Sequence, residues 1–258
     1  MAAIQDSADF PSAEAAGSGS LPGDSAGLPA SPSASASTSP SASLLSFFLP
    51  GPAGRLEALL NEGRADAPFV TLLCHPHPLG GGTMHNKVVY HAMKVFQGLG
   101  WPVLRFNFRG TGLSEGEHDG RAEVDDVRAG LEWLSGKFGK PIVAAGFSFG
   151  ASMGLRAVCG DGRTPDSTCV GFAALGLPTH AEGRDYKYPF LPECGFPKLF
   201  LSGDRDQYAP VEQLREVVAS AAEPKRLELI SEANHFFVGH LAAMQSALGR
   251  WLDVTFPL

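Results

Sequence analysis

The stretch Pro141-Ile142-Val143-Ala144-Ala145-Gly146-Phe147-Ser148-Phe149-Gly150-Ala151-Ser152-Met153-Gly154-Leu155-Arg156 changes character at a single serine. Its first half is a short, unbroken apolar run, as expected of a strand buried on both faces. Its second half is a run of helix-compatible residues. A strand that passes straight into a helix through G-x-S-x-G makes a tight turn, which holds the serine in a strained conformation with its hydroxyl exposed. Small flanking residues let the two elements approach. The pattern alone decides little, because it recurs at Gly23-Asp24-Ser25-Ala26-Gly27 and Gly112-Leu113-Ser114-Glu115-Gly116. Ser25 lies in a Ser/Ala/Pro/Gly-rich segment. Ser114 follows an apolar run only after Arg109-Gly110-Thr111, and Glu117-His118-Asp119-Gly120 separates it from the next helical pattern. Ser148 alone has the strand and the helix, and it is the candidate nucleophile.

A serine hydroxyl attacks well only when an imidazole takes its proton, and a carboxylate must orient that imidazole and stabilise its charged form. In the chain order serine, acid, histidine, both partners are expected on loops just after later strands, at the same sheet edge as the serine. Gly203-Asp204-Arg205-Asp206 follows the apolar run from Lys198 to Leu201, and His235 follows the run from Arg226 to Ile230. Asp206, farther along its turn, is expected to reach the imidazole, and Asp204 to stabilise the turn itself. His240 is expected to be an exposed residue of the last helix. For the oxyanion, the expected donors are the backbone N–H of Phe149, the residue after the serine, and that of His77. Pro76 and Pro78 beside His77 have no N–H to offer. Reading His75 and His77 as a metal pair has little support, since no Asp-His pair lies nearby. No metal or cofactor is expected.

Outward from the serine, apolar runs alternate with helical patterns. Leu45 to Pro50 and Arg55 to Asn61 read as a hairpin across Gly51-Pro52-Ala53-Gly54. Phe69 to His75, Pro102 to Phe108, Pro141 to Gly146, Cys169 to Leu175, Lys198 to Leu201 and Arg226 to Ile230 read as short strands. Val124, Val127, Leu131 and Leu134 recur at helical spacing behind an acidic first turn, and Val211, Leu214, Val217 and Ala221 do so after Pro210. Val89, Met93 and Phe96 mark another helix, and Leu241, Met244, Leu248 and Trp251 mark the last. This alternation predicts an α/β fold, one doubly wound and mostly parallel sheet of about eight strands with helices on both faces.

The chain has 258 residues, 44% hydrophobic and 18% charged, enough for a deep core. Its net charge of −7, without a Lys/Arg block, argues against a nucleic acid or an anionic membrane surface as partner and favours a small neutral or apolar molecule. Residues 1–44 carry no apolar run that offsets the entropy of ordering them, so a disordered tail is expected before a single domain over 45–258. That tail has acidic residues but no Lys or Arg, so neither a secretory nor a transit signal is read in it, and no apolar run approaches the length of a membrane span. Cys74, Cys159, Cys169 and Cys194 form no CxxC pair and are sparse, so four buried thiols in a reducing, cytoplasmic setting are expected.

The segments from His75 to Val89 (HPHPLGGGTMHNKVV), from Leu104 to Gly112 (LRFNFRGTG), Gly146-Phe147-Ser148-Phe149-Gly150 and His235-Phe236-Phe237 resemble the small bacterial α/β-hydrolases related to dienelactone hydrolases and carboxylesterases. The resemblance spans about 45–258. It implies the α/β-hydrolase fold with Ser148, Asp206 and His235 as catalytic triad and supplies no particular substrate; hydrolysis of a small carboxylic ester or thioester through an acyl-serine is expected. Dienelactone hydrolases typically carry a cysteine at the elbow, so their substrate does not transfer with the fold. Only 178–197 separate Leu177 from the strand at Lys198, too short for a helical cap domain, so an open site is expected. Phe147, Tyr186, Phe190 and Phe236 are the candidate pocket residues. The alternatives are a serine peptidase on the same fold, for which no group to hold a substrate N-terminus is evident, and a catalytically silent binding protein, which would be expected to lack one of the three triad residues. The sequence carries no statement of oligomeric state.

Overall fold

The computed structural model describes residues 43–257 apart from 161, 164, 165, 182 and 183. The expected tail up to residue 42, with Ser25, lies outside the described residues; Ser43 and Leu44 are described, and Leu44 is the first residue of the sheet. Leu44 pairs with Asn61, and Glu62 N–H donates to Ser43 O at 2.9 Å, so the ordered fold starts before the expected boundary at 45.

Eight strands form the main sheet in the order β1-β2-β4-β3-β5-β6-β9-β10. They are β1 (Leu44–Gly51), β2 (Gly54–Asn61), β3 (Val70–Cys74), β4 (Val103–Phe106), β5 (Ile142–Phe147), β6 (Cys169–Leu175), β9 (Lys198–Gly203) and β10 (Lys225–Ile230), and β7 (His180–Ala181) pairs with β8 (Arg184–Asp185) apart from it. The hairpin β1-β2 is antiparallel and β2 runs antiparallel to β4; every other neighbouring pair in the large sheet is parallel. The helices are α1 (Lys87–Gly98), α2 (Glu123–Phe138), α3 (Phe149–Cys159), α4 (Val211–Ser220) and α5 (Leu241–Thr255).

Alternation along the strands builds two cores at once. In β5, Ile142 and Ala144 join the core under α2, α3 and α4, whereas Val143, Ala145 and Phe147 join the one under α1 and α5. Val127, Leu131 and Leu134 of α2 are fully buried, as their spacing predicts, and Gly139 ends the helix in the left-handed region.

After β3 the chain moves outward to β4 and then crosses back over to β5 on the other side of β3. The loops that leave β3 and β5 therefore diverge above the carboxyl edge of the sheet and open a crevice between them. Among its described residues the segment 178–197 holds β7, β8 and one short helical turn (Leu191–Glu193), and none of these forms a helical cap over the crevice. Neither two-residue strand of β7-β8 carries a periodicity that sequence reading can use. Among the described residues no helix is long and apolar enough to cross a membrane.

The thiol expectation is corrected for two of the four cysteines. Cys159, at the end of α3, and Cys194, after the turn at 191–193, form a disulfide with Cα atoms 5.2 Å apart. Cys74 and Cys169 are buried free thiols, whose ionisation burial disfavours. Folding brings the bonded pair together across 35 residues of chain, a closeness that spacing alone does not reveal.

Candidate active site

Ser148 sits between the last residue of β5 and the first of α3, at φ 55° and ψ −118°. A non-glycine residue there is strained, and two glycines make the turn possible. A Cβ on Gly146 would lie 2.4 Å from the Gly150 carbonyl oxygen, and one on Gly150 would lie 2.4 Å from that of His75. Neither contact is tolerable, which is the physical content of the small residues in the pattern. Ser114 has a different task. Its hydroxyl donates to Asn107 O at 2.7 Å and accepts from Glu57 N–H at 2.9 Å, bracing a loop against β2.

Three elements meet at the serine. Ser148 Oγ lies 2.8 Å from His235 Nε2, and His235 Nδ1 lies 2.8 Å from Asp206 Oδ2. An ionised carboxylate only accepts, so Nδ1 carries the ring proton and Nε2 is left to accept the serine hydroxyl. Asp206 is buried and takes two further donors, Ser202 Oγ–H at 3.0 Å on Oδ2 and Tyr208 N–H at 2.8 Å on Oδ1. Asp204 instead accepts Glu232 N–H at 2.7 Å and ties the acid loop to the histidine loop. The His235 ring is held between Phe147 and Tyr208, with centroids at 5.0 and 4.6 Å. His240 stands partly buried at the N-terminus of α5, with Nδ1 2.9 Å from Val238 O.

The backbone N–H groups of Phe149 and His77 have no hydrogen-bond partner among the described residues. The first N–H groups of any helix lack an internal acceptor, so Phe149 at the start of α3 has its donor free for a ligand. The His77 side chain is itself fixed: Nδ1 accepts Leu79 N–H at 3.2 Å, and the ring packs against Phe149 and His118. His118 in turn has Nδ1 2.6 Å from the buried Glu123 carboxylate. Burial, helped by the neighbouring His118 and Arg184, lowers the His77 pKa, which favours the neutral ring. His75 is fully buried; its Nε2 accepts Phe108 N–H at 2.9 Å and its Nδ1 lies 2.6 Å from Pro76 O. Both nitrogens are thus committed to backbone, and burial pushes the pKa down to about 3.

An open cavity of about 550 Å³ adjoins Ser148 and His235. Of the candidate pocket residues, Tyr186 and Phe236 line it. Phe147 does not; it is fully buried behind the His235 ring. Phe190 does not either, because it packs into the core beside Tyr188 and under the Arg156 guanidinium. Sequence reading missed three residues near the site: Ser202 on the acid, Tyr208 against the imidazole, and Asn86 in the cavity wall. Only Asn86 carried a signal, as a residue suited to cap the helix that starts at Lys87.

The sheet order and the elbow together define the α/β-hydrolase class. The chain belongs to the alpha/beta hydrolase domain family, whose model matches residues 70–248. It is 34% identical over 199 residues to an uncharacterized protein of Rickettsia prowazekii, covering 74% of this chain and 81% of that one. Among solved structures it is similar to an alpha-beta serine hydrolase homologue from Coxiella burnetii (34% identity, TM-score 0.71, 81% of this chain and 97% of that one). It is also similar to an α/β serine hydrolase without lid from Xanthomonas campestris (29% identity, TM-score 0.72, 83% and 96%).

Proposed function

We propose that this hydrolase cleaves carboxylic esters or thioesters through an acyl-Ser148 intermediate. The observation that carries the reading is the hydrogen-bonded line from Ser148 through His235 to Asp206 at the floor of an uncapped cavity. As Ser148 Oγ attacks the carbonyl carbon, His235 Nε2 takes its proton and Asp206 stabilises the imidazolium. The carbonyl electrons move to oxygen, where the N–H groups of Phe149 and His77 receive them; each such donor is worth about 3 kcal/mol in comparable sites. When the oxyanion collapses, the bond to the leaving group breaks and His235 hands it the proton. Water then repeats the sequence on the acyl-enzyme, with His235 again as base, and releases the acid. These residues handle every proton and charge in the cycle, so the proposed reaction is metal-independent.

The resemblance to carboxylesterases and dienelactone hydrolases supports an ester, and the serine at the elbow separates this chain from the cysteine-based members. The test is a panel of p-nitrophenyl esters of graded acyl length, thioesters and aminoacyl amides, run with and without EDTA. The reading expects ester or thioester turnover that survives chelation and vanishes in Ser148→Ala. Turnover of amides alone, or activity lost to EDTA and restored by zinc, contradicts it. A cytoplasmic setting is part of the proposal. Cell fractionation tests it: the chain is expected with the cytosol, and recovery from the envelope or the medium contradicts it.

A further inference from the structure

Resting on the hydrolase reading of the Ser148 site, we infer that its cavity holds a subsite for an oxygen acceptor on the substrate, with Asn86 as the specificity-determining donor. Asn86 caps α1: its Oδ1 accepts Val88 N–H at 2.9 Å. That bond fixes the orientation of the side-chain amide. The residue also lines the cavity beside Ser148, and the polar group it has left to offer there is Nδ2, which donates only and has no partner among the described residues.

The rest of the polar lining is of the same kind. His77 spends Nδ1 as an acceptor from Leu79 N–H, so in its neutral form Nε2 carries the proton. Tyr186 and Tyr208 also line the cavity, and their hydroxyls bond to no described residue. Ser148 and His235 are committed to each other, and among the described residues no carboxylate lines the wall. The Arg184 guanidinium over the Tyr186 ring, 5.5 Å from its centroid, adds positive charge beside this wall. Leu79, Pro178, Ala181 and Phe236 complete it with apolar surface.

A wall whose described side chains offer two donor-only groups, two hydroxyls and no acceptor-only group is complementary to acceptor oxygens. In the free protein water satisfies these donors. A wholly aliphatic substrate that covers them removes the water and returns nothing, whereas an ether, carbonyl or carboxylate oxygen restores the bond. The substrate class is therefore an ester with an apolar portion and at least one acceptor oxygen beyond the scissile group.

The cap makes a clean test possible. Asp caps a helix as well as Asn does, so Asn86→Asp keeps the bond to Val88 N–H and replaces the Nδ2 donor with an acceptor. Two matched pairs probe the two limbs: butyl against 2-methoxyethyl butanoate for the alcohol, and p-nitrophenyl pentanoate against 4-oxopentanoate for the acyl group. The expected result is a kcat/KM at least fivefold higher for the oxygen-bearing member of one pair, carried by KM. In Asn86→Asp that ratio falls to near one while the melting temperature stays at the wild-type value. Binding of the butanoate pair to Ser148→Ala, measured by calorimetry, and its loss in Ser148→Ala/Asn86→Asp, read the alcohol-limb subsite without turnover. A preference in binding with no hydrolysis by the wild type leaves the subsite standing and sinks the ester reading alone. Hydrolysis with no preference in either pair, or a preference that Asn86→Asp retains, overturns the subsite.

Discussion

Asp206 accepts from three donors, and the least expected is Ser202, a strand residue four positions earlier in the chain. Its hydroxyl shares Oδ2 with the imidazole, so it fixes which way the carboxylate turns. A hydrogen bond to a charged group is worth about 1.5–3 kcal/mol. Ser202→Ala is expected to lower kcat by tenfold or more on the best ester, and Ser202→Thr to restore most of it; equal losses in both variants would reduce Ser202 to a packing residue. His75 has its own consequence for stability. Its pKa is about 3 in the folded chain, against roughly 6.5 for a free imidazole. A depressed histidine pKa means that the folded state binds fewer protons, so its contribution is intact above about pH 6.5 and is lost as pH falls toward 3. The slope is up to about 1.4 kcal/mol per pH unit. Urea unfolding at pH 7, 6 and 5 should show His75→Gln less stable than wild type at pH 7 but losing less with each step down. Parallel losses would mean that His75 can take up a proton while folded.

At the scale of elements, the segment between β6 and β9 determines how open the site is. It supplies Tyr186 to the cavity wall and is fastened near both of its ends. Arg184 donates to Gly120 O and lies over the Phe149 and Tyr186 rings, and the Cys159–Cys194 bond ties its far end to the helix that follows Ser148. Closing a loop of this length stabilises by about 3–4 kcal/mol in the chain-entropy account. Reduction, or the double substitution Cys159→Ala/Cys194→Ala, should lower the melting temperature by several degrees, with the native cross-link visible as one linked peptide in a non-reduced digest. A digest that yields both peptides free from oxidised protein would remove the bond from the account. The same segment marks the limit of sequence reading. The eight strands of the large sheet were legible because continuous apolar runs and helical spacing persist for many residues, whereas two-residue strands and a bond across 35 residues leave no local trace.

For the molecule as a whole, the positions of Ser148, Asp206 and His235 were legible because a doubly wound sheet delivers the ends of parallel strands to one edge. Chain order and strand placement sufficed to bring together residues 58 and 29 positions apart. Their surroundings were less legible. Phe147 and Phe190 were expected in the pocket and lie in the core, because burial depends on which face an aromatic meets after the sheet twists and the loops close. Asn86 and Tyr208 went unnoticed for the converse reason, since each has a local task in a helix cap or a turn and faces the cavity only through the fold. The central claim, that one serine of three identical patterns is the nucleophile, has a direct measurement: fluorophosphonate labelling of the full chain followed by peptide mapping. The account predicts a single adduct at Ser148, absent in Ser148→Ala and undiminished in Ser25→Ala and Ser114→Ala; an adduct that persists in Ser148→Ala, or maps to Ser25 or Ser114, would contradict it.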